Sequence, residues 1–185
     1  VRVTFGNNQS IVEVDRPSIR RLVGKLARQE NAPAGEVSLV FVDDSYIREL
    51  HGRYAGVRRA TDVLAFPLGG RSVPGCEDDG TATGGRGSAR RARRDPKLVP
   101  GAARDELIGE VYVSAERALA QARRYRVGLG QEVARLIIHG VLHLLGYRDD
   151  IPSSRKVMIR RQEAFLREHG PLASAAARRA PRRGA

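Results

Sequence analysis

Two of the chain's four histidines, His139 and His143, stand four positions apart in a run that is otherwise aliphatic or glycine from Leu136 to Leu145. Residues four apart lie one turn above the other on one face of a helix, so both imidazoles can meet at a single point. Gly146 can take the left-handed conformation that stops a helix, and the chain then turns back, which lets Asp149 reach the same point. Two imidazoles, a carboxylate and an open fourth position form the donor set of a catalytic zinc ion rather than of a closed structural one. The plain alternative is a pair of core histidines hydrogen-bonded to their neighbours. Burying two such rings without partners would cost roughly 1 to 3 kcal/mol each, a cost that a shared metal removes. Zinc peptidases of the His-Glu-x-x-His kind carry a glutamate after the first histidine to deprotonate water. This chain has Gly140 there, and a peptidase reading loses its general base.

Taken together, His139-Gly140-x-Leu142-His143-Leu144-x-Gly146-Tyr147 resembles the signature of the bacterial YbeY family, zinc-dependent, single-strand-specific endoribonucleases of ribosomal RNA maturation. The likeness extends upstream. Val40 to Asp44 with Ile47 to Leu50 looks like the family's strand and helix, Thr61 to Pro67 like its cleft strand, and Ile108 to Ser114 like its next strand. The resemblance implies that Thr61, Asp62 and Phe66 line the RNA groove and that one zinc ion is bound by His139, His143 and Asp149. Two positions depart from the family. Its signature ends in Asp-His, the histidine being the third zinc ligand, where this chain has Arg148-Asp149. Its Tyr-Arg-Gly, whose arginine is implicated in catalysis, reads Tyr54-Ala55-Gly56. A carboxylate in place of an imidazole lowers the formal charge of the site from about +2 to about +1, which weakens the Lewis acid and its pull on a phosphodiester. Guanidinium groups suit phosphate, so Arg59 is taken as the catalytic substitute and Arg58 and Arg148 as RNA contacts.

Composition sets the outer limits. The 185 residues suffice for one domain with a real core, and 41% of them are hydrophobic. Only 5% are aromatic and none is Trp, so RNA contact would rely little on stacking. One cysteine, Cys76, excludes an intramolecular disulfide and suits a reducing, cytoplasmic setting. No leader or membrane span is evident, the longest apolar run being too short and carrying two histidines. The net charge of +12 is unevenly spread. Arg71 to Arg104 holds eight basic residues against four acidic ones, and the end from Pro171 carries four arginines with no acid. Low apolar content and high charge read these as a disordered basic insertion at 71–105, inside a single domain over 1–170, and a disordered basic tail at 171–185 after it.

The elements that position the site follow from pattern. Val1 to Phe5 alternates as a strand, with Gly6 to Asn8 as turn and Ile11 to Val14 as its return. Asp15 caps a helix carrying Ile19, Leu22, Val23 and Leu26, which ends near Glu30. Val37 to Val42 suits a buried strand, followed by a short helix capped by Asp43 or Asp44. His51, on or beside that helix, reads as a surface or supporting residue. Thr61 to Phe66 forms a strand that Pro67 places at an edge, and Arg58 and Arg59 precede it. Leu107 to Val113 supplies another strand, Ser114 caps the helix after it, and the histidine helix starts near Gln131. Ser153 caps a last helix carrying Val157, Phe165 and Leu166, with His169 at its end.

These elements predict an α+β domain, a small mixed β-sheet packed against several helices and zincin-like, with the metal-binding helix central. The function expected from residues and resemblance together is metal-dependent cleavage of single-stranded RNA. The resemblance adds maturation of the 16S ribosomal RNA 3′ end, ribosome quality control and a small-ribosomal-subunit partner. Two alternatives stay open: a ribosome-associated RNA-binding factor with a structural metal, and a metallopeptidase.

Overall fold

A continuous apolar run can be a strand only where both faces of a sheet are covered, and Glu36–Val42 (β3) occupies that place. It pairs in parallel with Arg2–Asn7 (β1) on one side and Leu107–Ser114 (β5) on the other. Val63–Pro67 (β4) closes the order β1-β3-β5-β4 as an antiparallel edge strand. The computed structural model describes residues 1–68 and 107–181; the basic insertion expected at 71–105 lies outside them.

Helices cover both faces. Asp44–Ala55 (α2) packs Ile47 and Leu50 against Val40, Val42 and Tyr112 on one side. On the other, Arg16–Gln29 (α1), Ala115–Tyr125 (α3), Leu129–Leu144 (α4) and Pro152–Glu168 (α5) share a core with Val37, Leu39, Phe41, Val111 and Val113. The result is a mixed α+β domain with six helices among the described residues. Three of them start as their sequences require. The side chains of Asp15, Asp43 and Ser114 accept from the amides of Ser18, Tyr46 and Arg117.

α4 is the central element. Ile137, Ile138 and Leu142 are completely buried, and the helix runs against β5 so closely that a Cβ at Gly140 would stand 2.4 Å from Val111 Cγ1. A side chain at position 140 would therefore run into the sheet.

Three local expectations are corrected. Val12–Val14 (β2) does not return along β1, because the Gln9 side chain takes the amides of Ile11 and Val12 and turns the chain away. β2 pairs instead with Ala177–Arg179 (β6). The stretch from Pro171 is accordingly not all tail: Gly170–Ala175 (α6) and β6 are built from it. Ala173 and Ala176 in this stretch are fully buried core residues, since small side chains let α6 lie directly on α4. Ser153 does not cap α5. The cap is Ile151, with Pro152 in the first turn, where its missing N–H costs nothing.

Candidate metal centre

α4 ends in a Schellman turn. Gly146 sits at φ +92°, its amide donates to His143 O, and the Tyr147 amide donates to Leu142 O. This reversal carries Asp149 back over the last turn of α4. The Nε2 atoms of His139 and His143 lie 3.1 Å apart, and the Asp149 carboxylate stands 3.8 Å from each. All three donor atoms fall within 4.8 Å of one another.

The hydrogen bonds decide what those nitrogens are. His143 Nδ1 donates to Tyr147 O at 2.9 Å, an acceptor that cannot itself donate. His139 Nδ1 meets Gln162 Oε1 at 3.0 Å, and that orientation of the amide is set by Gln162 Nε2 donating to Glu163. In their neutral forms both rings therefore carry their proton on Nδ1, and the two Nε2 atoms then face each other as lone pairs rather than as donor and acceptor. Two lone pairs at 3.1 Å with a carboxylate beside them have no mutual hydrogen bond to make; a cation satisfies all three. Tetrahedral zinc with Zn–N of about 2.0–2.1 Å holds its nitrogens about 3.3 Å apart, so the donor set fits with small adjustments. Burial, and then the neighbouring His143, push the His139 pKa below the ordinary histidine value, against the opposing pull of Gln162 and Asp149. The ring is thus held in its neutral, ligating form.

The three donors open onto a cleft of about 420 Å³ walled by Thr61 to Ala65 and Pro67. Because β4 is an edge strand among the described residues, the cleft is bounded by backbone that none of their other strands pairs with. Asp62 is fully engaged there. Its carboxylate accepts from Thr61 Oγ1, from the Val63 amide and from Gln121 Nε2 at 2.8 Å, which locks the entry to β4.

Other expected groove residues lie elsewhere. Strand alternation sends Val63 and Ala65 toward α4 and Leu64 and Phe66 to the opposite face. Phe66 accordingly packs on Tyr54 and Tyr112, with centroids 4.8 and 5.8 Å away, and does not line the cleft. Arg58 lies over Gly52 and borders a separate cavity of about 540 Å³ with Arg48 and Arg53. Arg59 is exposed, and its carbonyl accepts from His51 Nδ1 at 2.7 Å, so His51 steadies the approach to β4. Arg148 adjoins the centre but pairs with Asp150.

Gln162 was not singled out from the sequence, although a signal was present. It shares the buried face of α5 with Met158, Phe165 and Leu166, and an amide at such a position needs a partner.

A family description, Endoribonuclease YbeY, matches residues 4–170. The chain is 36% identical over 168 residues to the Endoribonuclease YbeY of Moorella thermoacetica, covering 86% of this chain and 92% of that one. It is 34% identical over 169 residues to that of Pelotomaculum thermopropionicum, covering 89% and 94%. Its fold is similar to the solution structure of TM1509 from Thermotoga maritima, with a TM-score of 0.52 at 22% identity over 91% of this chain and 89% of that one.

Proposed function

The chain belongs to the YbeY endoribonuclease family, and from that membership we propose that it is a metal-dependent endoribonuclease acting on single-stranded RNA, with His139, His143 and Asp149 as the ligands of one zinc ion. The observation that carries this reading is the pair of Nε2 atoms 3.1 Å apart with a carboxylate beside them, open to a cleft. A divalent ion bound there supplies Lewis acidity toward a phosphate oxygen or a water. Ligands left a quarter or more exposed suit catalysis better than a sealed structural site.

The residues around the centre divide the remaining tasks. Tyr147 O and Gln162 orient the imidazoles. The edge of β4, unpaired on that side among the described residues and zincin-like in that respect, would support an extended strand, which a duplex cannot become without unpairing. Thr61 and Asp62 shape the entry. Asp149 adds a negative charge that a third imidazole would not, so cations must offset it for an anionic substrate. Arg59, ahead of β4, and Arg148, beside Asp149, are the exposed guanidiniums nearest in sequence to the cleft wall and to the ligands. Arg59 is assigned to charge at the phosphate and Arg148 to the RNA backbone, while Arg58, which borders the separate cavity, would meet RNA only beyond the cleft. The biological setting is maturation of ribosomal RNA at the 16S 3′ end with the small subunit, in the cytoplasm. A peptidase reading lacks its general base at Gly140, where even a Cβ would meet Val111 of β5 and Val63 of β4.

The test is metal analysis of the purified protein together with cleavage of single-stranded and duplex RNA by wild type and His143→Ala, each free of host nucleases. Metal near one equivalent and single-strand cleavage, both lost in the variant, are the expected results. Full cleavage by the variant would overturn the mechanism. Metal binding without turnover in wild type would favour the RNA-binding factor.

A further inference from the structure

His139 does not choose its own tautomer. Glu132, Arg135, His139 and His143 recur at helical spacing on one face of α4, and α5 lays Gln162 and Glu163 against that face. Arg135 ion-pairs with Glu163 and stands 3.3 Å from Glu132, which is 2% exposed. Glu163 Oε1 then accepts from Gln162 Nε2 at 3.0 Å. Reversing the Gln162 amide would point its oxygen at that carboxylate and its NH₂ at the ring, setting acceptor against acceptor. Glu163 therefore fixes the amide, and the amide oxygen fixes the ring proton on Nδ1. Gln162 is 5% exposed, so bulk solvent does not compete with it for the ring.

From this chain of contacts we infer that Gln162 is a positioning residue of the metal centre: held by the Arg135–Glu163 pair, it keeps His139 in the Nδ1–H form and so presents the Nε2 lone pair to the ion. His143 is served by a main-chain carbonyl, and Tyr147, which supplies it, is tied through its hydroxyl to Glu30 and thence to Arg161 of α5. α5 thus braces both imidazoles, one directly and one through the turn. The inference deepens the proposed metal centre and rests on that reading, but it can be tested without RNA.

The experiment uses the full chain. In metal-free protein, nitrogen-15 correlation spectra of the imidazoles report the tautomer of His139; zinc affinity is then measured by competition with a chromophoric chelator. Wild type is expected to show the Nδ1–H form. Gln162→Leu, which removes the acceptor at similar volume, should move His139 toward Nε2–H and weaken zinc binding by about 10- to 100-fold. Gln162→Glu alone would set its second oxygen against Glu163 Oε1, so it is combined with Glu163→Gln, whose amide can donate to it; this double variant should keep the Nδ1–H form and recover the affinity. Glu163→Ala, at a half-exposed position, should shift the tautomer in the same direction as Gln162→Leu and covers the case in which the leucine variant does not fold. An unchanged tautomer in both Gln162→Leu and Glu163→Ala, zinc affinity equal to wild type in Gln162→Leu, or failure of the double variant Gln162→Glu with Glu163→Gln to rescue would overturn the inference. Failure of the nuclease reading would appear only in RNA cleavage, which none of these measurements includes.

Discussion

Replacing His143 by Ala tests the centre through stability as well as through turnover. The ring contributes one of three donors and one hydrogen bond, to Tyr147 O at 2.9 Å, and it is about a quarter exposed. Without metal its loss should cost little, on the order of 1 kcal/mol for the hydrogen bond. With metal the difference is much larger. An ion that binds only the folded chain stabilises it by about 4 kcal/mol when present at about a thousandfold over its Kd. A chain of about this size gains about 2 to 4 °C in melting temperature per kcal/mol, so zinc should raise the wild-type midpoint by roughly 8 to 16 °C over the value in chelator. His143→Ala leaves only His139 and Asp149, and most of that shift should disappear while the two proteins melt within a few degrees of each other in chelator. Calorimetric melts of both proteins in zinc and in chelator give the four midpoints. The reasoning fails if chelation leaves the wild-type midpoint unmoved, or if the variant keeps the full zinc shift.

Gly140→Ala should destabilise by about 1 to 3 kcal/mol in urea melts, because the new Cβ meets Val111 Cγ1 at 2.4 Å and overpacking outweighs the usual helical gain from alanine; a more stable variant would show that the contact yields. Glu132 has its pKa raised, chiefly by burial, with Arg135 opposing. A carboxyl raised in the folded state favours the fold at low pH and loses that contribution as pH rises through the raised value, so the stability of Glu132→Gln relative to wild type should improve from about pH 4 upward; a difference that stays flat with pH would refute this. Asp43 is shifted the other way, its carboxylate held low by the Tyr46 amide and the Ser45 hydroxyl. Its contribution is present above the unfolded-state pKa and fades as pH falls through the lowered one, so Asp43→Ala should cost about 1 kcal/mol near neutral pH and less in acid, by the same melts.

Much of the architecture was legible in the sequence where one element decides the matter alone. The cap residues Asp15, Asp43 and Ser114 satisfy amides three positions ahead, an interaction local to one turn. The run Val37 to Val42 had no polar face and could only lie in the middle of a sheet. The convergence of His139, His143 and Asp149 was equally local, since the first two share a helix face and Gly146 sets the return of the third.

What failed was what depends on a distant partner. Alternation placed Phe66 and Ala65 on opposite sides of β4, but only the packing of α4 and α2 decided which side was the cleft. The alanines after Pro171 carry no periodic signal, yet Ala173, Ala176 and Ala177 are buried because α4 leaves room there for small side chains alone. Gln162 looked like one more polar residue on a charged helix, and its meaning came from His139, 23 positions away. A chain's own periodicities thus determined which residues could act together within a turn or two, including the donor set itself. The tertiary structure decided which face each element shows and what orients those donors, because burial and hydrogen bonding are properties of pairs of elements, and neither member of a pair encodes the other.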